Sequence, residues 1–229
     1  HEDLATLTAL RLGAGARVIS MYVTNGTSTR SDLNGDLPTR VAARRKEEAY
    51  RALSHIGGDV YFLNLPDYGI VDPPESLKTF WPRDSVLARV RGVLRSYRPD
   101  VILLARDFRE TTTPTARGNY IRDIVLEAAA RAATRSRSDT GAAGEGWKVE
   151  RIFMETDAGT GGLPVNAEAL HPVWRRSYRA IAAEASAFYE SLRLRINPWN
   201  KQRAGAYTLI RPRTTAPPAS ITSGLPVLG

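Results

Sequence analysis

Three short polar segments each follow an apolar run in this chain, and each carries groups that can bind a ligand or move a proton. Thr24-Asn25-Gly26-Thr27 follows Val18–Val23. Pro66-Asp67-Tyr68-Gly69 follows Val60–Leu63 and Asn64-Leu65. Arg106-Asp107-Phe108-Arg109-Glu110 follows Val101–Leu104. Asp67 and Asp107 are carboxylates, able to accept hydrogen bonds from hydroxyl groups or to take a proton from water. Asn25 offers an amide donor and acceptor. Each segment taken alone reads as a turn, because Asn-Gly and Asp-x-Gly are common turn formers. Ligands of an open parallel sheet bind beyond the carboxyl ends of its strands. Three such segments on one sheet edge therefore point to a site. The run Arg44-Arg45-Lys46-Glu47-Glu48 admits two readings. It is solvated pairing along a helix, or Arg45 faces the crevice and clamps an anionic or hydroxylated ligand.

The elements that must position these residues alternate. Strand-length β-branched runs occur at Val18–Val23, Val60–Leu63, Val101–Leu104 and Val149–Phe153. Helical patterns lie at Leu4–Leu12, Val41–Ile56, Asp84–Tyr97 (with Asp84 as N-cap), Asn119–Thr134 and Trp174–Leu192. Alternating strands and helices predict an α/β fold, a Rossmann-like parallel sheet with helices on both faces. Residues 1–210 are expected to form one domain, with the polar loop Arg135–Gly146 inside it and a short strand at Tyr207–Ile210. The Pro-, Ser- and Thr-rich stretch 211–229 is expected to be a tail, or a linker toward a further domain of the parent chain. The opening helix has no strand before it, so the domain is expected to lack its first strand and the loop that strand would deliver.

Composition narrows the classes. The 229 residues carry 32 Lys+Arg against 24 Asp+Glu, a net charge of +8. The basic residues are scattered along helices, without a dense tract interleaved with aromatics, so no nucleic-acid partner is expected. No apolar run approaches the ~20 residues of a membrane span. The absence of Cys excludes disulfides and thiolate metal sites. Composition leaves the compartment open, whether cytoplasmic or exported. Of the three His, His55 reads as structural at a helix end and His171 as a helix-boundary residue. Asn25-Gly26-Thr27 also matches the short glycosylation sequon, a pattern with many chance matches.

An ordered set of motifs carries a resemblance. It comprises Glu2 with the helix after it, Gly15-Ala16-Arg17-Val18 leading to Val23-Thr24-Asn25-Gly26, Arg45-x-x-Glu48-Ala49, Gly57-Gly58, Leu65-Pro66-Asp67 and Arg98-Pro99-Asp100-Val101-Ile102. In order and spacing, from about Glu2 to Ala129, these resemble the PIG-L/LmbE-like deacetylases, hydrolases that remove an acetyl group from N-acetylglucosamine-type amides with a zinc ion. The family's first loop reads His-Pro-Asp-Asp-Glu. If Glu2 is its Glu, His1 stands where its second Asp binds metal, and an imidazole can bind zinc there.

The resemblance thus implies His1 as metal ligand and Glu2 as the catalytic carboxylate that supports the first loop, while Asp107, from the third polar segment, is expected as an auxiliary catalytic carboxylate at the crevice. It implies Asn25, Arg45 and Asp67 as contacts to a small-molecule amino-sugar conjugate. The family draws a further metal His and an acid His from a His-Pro-Asp-His segment. Here that position reads Thr113-Pro114-Thr115-Ala116-Arg117-Gly118-Asn119, with neither His nor carboxylate. Metal-assisted amide hydrolysis takes about three protein ligands and an open position for water, so zinc is expected to bind this chain weakly or not at all. The alternative is a catalytically inactive carbohydrate-binding or scaffold domain. A nucleotide-binding Rossmann domain is disfavoured, because no Gly-x-Gly-x-x-Gly follows a strand.

Overall fold

The computed structural model describes residues 3–27, 37–67, 74–105, 116–134, 146–156, 162–192, 206–212 and 218–225. The chain opens with α1 (Leu4–Thr8), which runs on as a π-helical turn over Ala9–Gly13. Strand β1 (Ile19–Thr24), helix α2 (Pro38–His55) and strand β2 (Asp59–Leu65) follow. Next come α3 (Pro74–Phe80), α4 (Arg83–Tyr97), β3 (Val101–Leu104), α5 (Ala116–Ala132) and β4 (Arg151–Thr156). The chain then forms β5 (Leu163–Pro164), α6 (Tyr178–Ser186), a 3-10 turn at Glu190–Leu192 and β6 (Ala206–Arg211).

The mixed α/β fold agrees with the sequence pattern, and the pairings refine it. β1 pairs parallel with β2, and β3 parallel with β4. β6 pairs antiparallel with β4 and with β5. Among the described residues these make two sheets, β1-β2 and β3-β4-β6-β5, rather than one. An antiparallel strand added to a largely parallel sheet is common in α/β folds, and hydrophobic periodicity carries no information about strand direction.

The alternation of side chains shows helices on both faces. Tyr61 and Leu63 of β2 pack in one cluster with Val86, Val90 and Leu94 of α4 and Ile124 and Ala128 of α5. Val60, one residue before Tyr61 and so in the opposite phase, packs on the other side with Leu4 and Ala5 of α1, Ala52 and Leu53 of α2 and Ile181 of α6. The same split divides β3: Ile102 and Leu104 join the first cluster, Val101 and Leu103 a third around Phe153, Tyr207 and Ile221. Ile221 lies within 211–229 and is buried, and Arg151 Nη1 donates to its carbonyl at 3.2 Å. The first cluster draws on Met21 and Val23 of β1 as well as on β3 and β4, so one core spans both sheets.

Several helix boundaries differ from the pattern, α6 for instance ending at Ser186 rather than Leu192, and two starts have a clear local cause. α4 begins at Arg83 with Pro82 as N-cap, which leaves Asp84 inside the first turn. A carboxylate there still suits the positive end of the helix. The last helix begins at Tyr178 rather than Trp174. Ser177 caps it, its hydroxyl accepting from Ala180 N at 3.1 Å. Residues 170–177 instead form a closed turn. His171 N donates to Arg176 O, Arg175 adopts φ 56°, and His171 Nδ1 accepts from Val173 N and Trp174 N at 3.3 and 3.1 Å. That is a boundary role for His171. His55 sits at the end of α2, its ring tilted by 55° against Phe188 and 3.5 Å from Glu184.

Candidate functional site

The carboxyl ends of β1 and β2 build one edge together. Asn25 N donates to Leu65 O at 2.8 Å, carrying the pairing one residue past β1. Asn25 then turns the chain, its Oδ1 accepting from Thr27 N at 3.2 Å and Thr27 Oγ1 at 2.7 Å. This is the Asx turn that Asn favours. Gly26 takes φ +74°, a left-handed conformation that glycine adopts without strain, and its carbonyl accepts from Arg45 Nη1 at 2.8 Å. A Cβ on Gly26 would lie 3.3 Å from Arg45 Cδ, so this residue also lets α2 approach closely. The half-buried Arg45 therefore holds the first loop by its backbone.

Asp67 arrives from the other strand. Its Oδ2 lies 3.5 Å from Thr24 Oγ1. The segment leading to it is pinned from behind, where Trp81 Nε1 donates to Pro66 O at 3.0 Å and Tyr120 Oη donates to Trp81 O at 2.7 Å. Trp81 is 3% exposed, so this anchor sits in the core and Asp67 stands at its rim. The structure thus brings Asn25, Arg45 and Asp67 onto three adjoining segments. His1, Glu2 and Asp107 lie outside the described residues.

Two networks tie distant segments of the chain together, and the sequence pattern showed the partner in neither. Glu48, one turn after Arg45, is 5% exposed. Its Oε1 accepts from Ser191 N at 2.8 Å and Arg44 Nε at 3.3 Å, and its Oε2 from Ser191 Oγ at 2.5 Å. A buried carboxylate survives only with such partners. Glu47, beside it, does make the exposed helical pair that the charge run suggests, with Arg51 at 2.9 Å. The second network surrounds Asp3, which caps α1 by accepting from Thr6 N at 3.0 Å and takes a bond from Tyr207 Oη at 3.1 Å. Burial pushes the Tyr207 phenol well above its ordinary range, with Asp3 and Glu155 adding to the effect. It stays protonated and acts as a donor.

The chemistry of this edge is that of hydrogen-bonded recognition. Asp67 and the Thr24 hydroxyl suit a polyhydroxylated ligand. Among the described residues no group of three or more His, Cys, Asp or Glu is placed to hold a metal ion. At this edge Asp67 is the one described carboxylate among the expected site residues, so the described donors do not by themselves fit a zinc site. No described helix is long and apolar enough to cross a membrane.

Residues 4–114 match the PIG-L family, described as GlcNAc-PI de-N-acetylase. This span of the chain is PIG-L-like. It contains α1, β1, α2, β2 and β3, hence all of the edge just described. No curated protein matches the sequence. Solved structures share the fold at low identity. GalB, the 4-carboxy-2-hydroxymuconate hydratase from Pseudomonas putida, is 14% identical with a TM-score of 0.63, covering 94% of this chain and 92% of that one. The N,N'-diacetylchitobiose deacetylase from Pyrococcus horikoshii is 15% identical with a TM-score of 0.59, covering 90% of this chain and 77% of that one. A deacetylase of the teicoplanin biosynthesis pathway is 14% identical with a TM-score of 0.58, covering 90% of both chains. A hydratase and two deacetylases on one fold mean that the site, not the fold, decides the reaction.

Proposed function

We propose that this protein is an N-deacetylase, hydrolysing the acetamide of an N-acetylglucosamine-type conjugate to the free amine and acetate. The observation that carries this reading is the meeting of Asn25, Arg45 and Asp67 at one strand edge inside the PIG-L-like span. The family is named for removing an acetyl group from an amino sugar, and two fold neighbours are deacetylases. In this reading Asp67 accepts hydrogen bonds from sugar hydroxyls. Asn25 shapes the first loop through its Asx turn, and Arg45 holds that loop in register by the Gly26 carbonyl. Glu2 and Asp107 are the carboxylates proposed to assist water attack and amine departure. His1 is the residue proposed to contribute to a zinc site, whose other ligands would lie outside the described residues.

A second reading is favoured by one specific observation. The segment Thr113–Asn119 carries no His or carboxylate where the family pattern places metal and acid groups. A chain with the recognition edge and without those groups would bind an amino sugar and not cleave it. The assay follows acetate released from N-acetylglucosaminyl conjugates, with and without a chelator, alongside calorimetric binding of the same conjugates. Chelator-sensitive release supports the metal-dependent deacetylase, and release that survives chelation refutes the metal requirement. Binding without release selects the inactive carbohydrate-binding domain.

A further inference from the structure

We infer that Asn64 sets the reach of Asp67 and is a positioning residue for this edge. The inference rests on the amino-sugar reading only for what Asp67 binds. Along the paired strands Tyr22 faces Phe62, yet Thr24 faces Leu65. β1 advances two residues over this interval and β2 advances three. β2 therefore carries one extra residue, and the backbone shows where it is absorbed: Asn64 takes φ 54°, left-handed, inside a strand. Asn tolerates this conformation far better than β-branched residues do. Such a bulge re-aims the chain beyond it.

The consequence follows from strand geometry. In an unbroken register Asn64 would face Thr24, and Asp67 would stand three residues beyond Thr24's partner. The bulge makes that two, drawing Asp67 back by one residue, about 3.3 Å. The contact it permits is only 3.5 Å long, from Asp67 Oδ2 to Thr24 Oγ1, so a slip of that size would break it. The bulge is braced on both sides. Lys46 Nζ donates to Asn64 Oδ1 at 2.5 Å, and Asn64 Nδ2 donates to Phe62 O at 3.2 Å. Lys46 adjoins Arg45, so consecutive residues of α2 hold the bulge in one strand and the loop after the other. Trp81 Nε1 on Pro66 O reports the same shift without any ligand, because its 3.0 Å bond ends between the bulge and Asp67.

The test compares Asn64→Gly, Asn64→Ala and Asn64→Val in the full chain, each alone and with Asp67→Asn. Two readouts are taken: the NMR signal and exchange rate of the Trp81 indole N–H, and the affinity for methyl N-acetyl-glucosaminide. Asn64→Gly should stay near the wild type in both, since glycine accepts a positive φ and loses only the two exposed side-chain bonds. Asn64→Val should move the indole signal, speed its exchange and weaken the sugar about tenfold, with Asn64→Ala between them. In the Asp67→Asn background Asn64→Val should have little further effect on the sugar. The inference is overturned if Asn64→Val leaves the indole signal unchanged. It is also overturned if Asn64→Gly behaves like Asn64→Val, or if Asn64→Val weakens sugar binding equally in both backgrounds. Should the wild type not bind the sugar at all, the amino-sugar reading fails, while the indole signal still decides whether Asn64 places the Asp67 segment.

Discussion

Replacing Glu48 with Ala should cost this protein far more than a surface carboxylate would. Glu48 and Ser191 are 5% and 4% exposed, and 143 residues of chain separate them. The carboxylate satisfies the Ser191 backbone N–H at 2.8 Å and its hydroxyl at 2.5 Å. Alanine leaves both donors buried with no acceptor. A hydrogen bond to a charged group contributes about 1.5–3 kcal/mol, and an orphaned buried donor costs about 1–3 kcal/mol. The Ser191 hydroxyl can rotate toward another acceptor, whereas the backbone N–H cannot. The sum to expect is therefore about 3 kcal/mol. The third partner adds little, because Arg44 is 45% exposed and such pairs are weak. For a chain of this length about 3 kcal/mol lowers Tm by about 6–12 °C. Glu48→Gln keeps one acceptor and should lose about half as much. Thermal unfolding followed by circular dichroism decides the matter. Ser191→Ala should be milder than Glu48→Ala, and the double variant should lose less than the sum of the two. A Glu48→Ala protein melting within about 2 °C of the wild type would show that the buried network does not hold the C-terminal turn to α2.

Gly26→Ala should destabilise the first loop, because it forces a side chain onto a φ of +74° and sets its Cβ 3.3 Å from Arg45 Cδ. Faster amide exchange at Thr27 would report this, and unchanged exchange would remove the argument for glycine there. The surface pair of Arg176 and Glu184 makes a pH prediction. The Arg176 hydrogen bond, with help from His55, holds the Glu184 carboxyl below its ordinary 4.5. A carboxyl depressed in the fold contributes stability above its unfolded pKa and loses it as pH falls through the folded value. Arg176→Gln should therefore lower Tm at neutral pH and converge on the wild type as pH falls through the depressed folded value. A gap that persists at the lowest pH would assign the effect to packing.

Much of the fold was legible because its signals are periodic. The apolar runs at Val18–Val23 and Val101–Leu104 became β1 and β3 within a residue of their expected ends, and the stripe on α4 buries Val86, Val90 and Leu94. The end of β1 was legible through Asn25-Gly26, whose turn chemistry is local. What the sequence hid is non-local or aperiodic. The bulge leaves Tyr61, Leu63 and Leu65 alternating as though nothing intervened, so no pattern marks Asn64. Glu48 sits in a run of charges that reads as solvated, and only the return of Ser191 makes it a buried group. The start of α6 was misplaced because Trp174 continues the apolar spacing, while the turn closed by His171 and the cap at Ser177 end it. Ser177 was the available signal, a favoured N-cap immediately before the helix.

The parallel pairing of β1 with β2 has a thermal consequence. Asn25 and Asp67 follow the two strands of one ladder, and the Asn25 N–H bond to Leu65 O extends that ladder to the edge they form. Apolar packing is non-directional and weakens on cooling. Chilling should therefore loosen the packing of the helices on these strands before it disturbs the ladder, and the spacing between Asn25 and Asp67 should outlast the packing behind it.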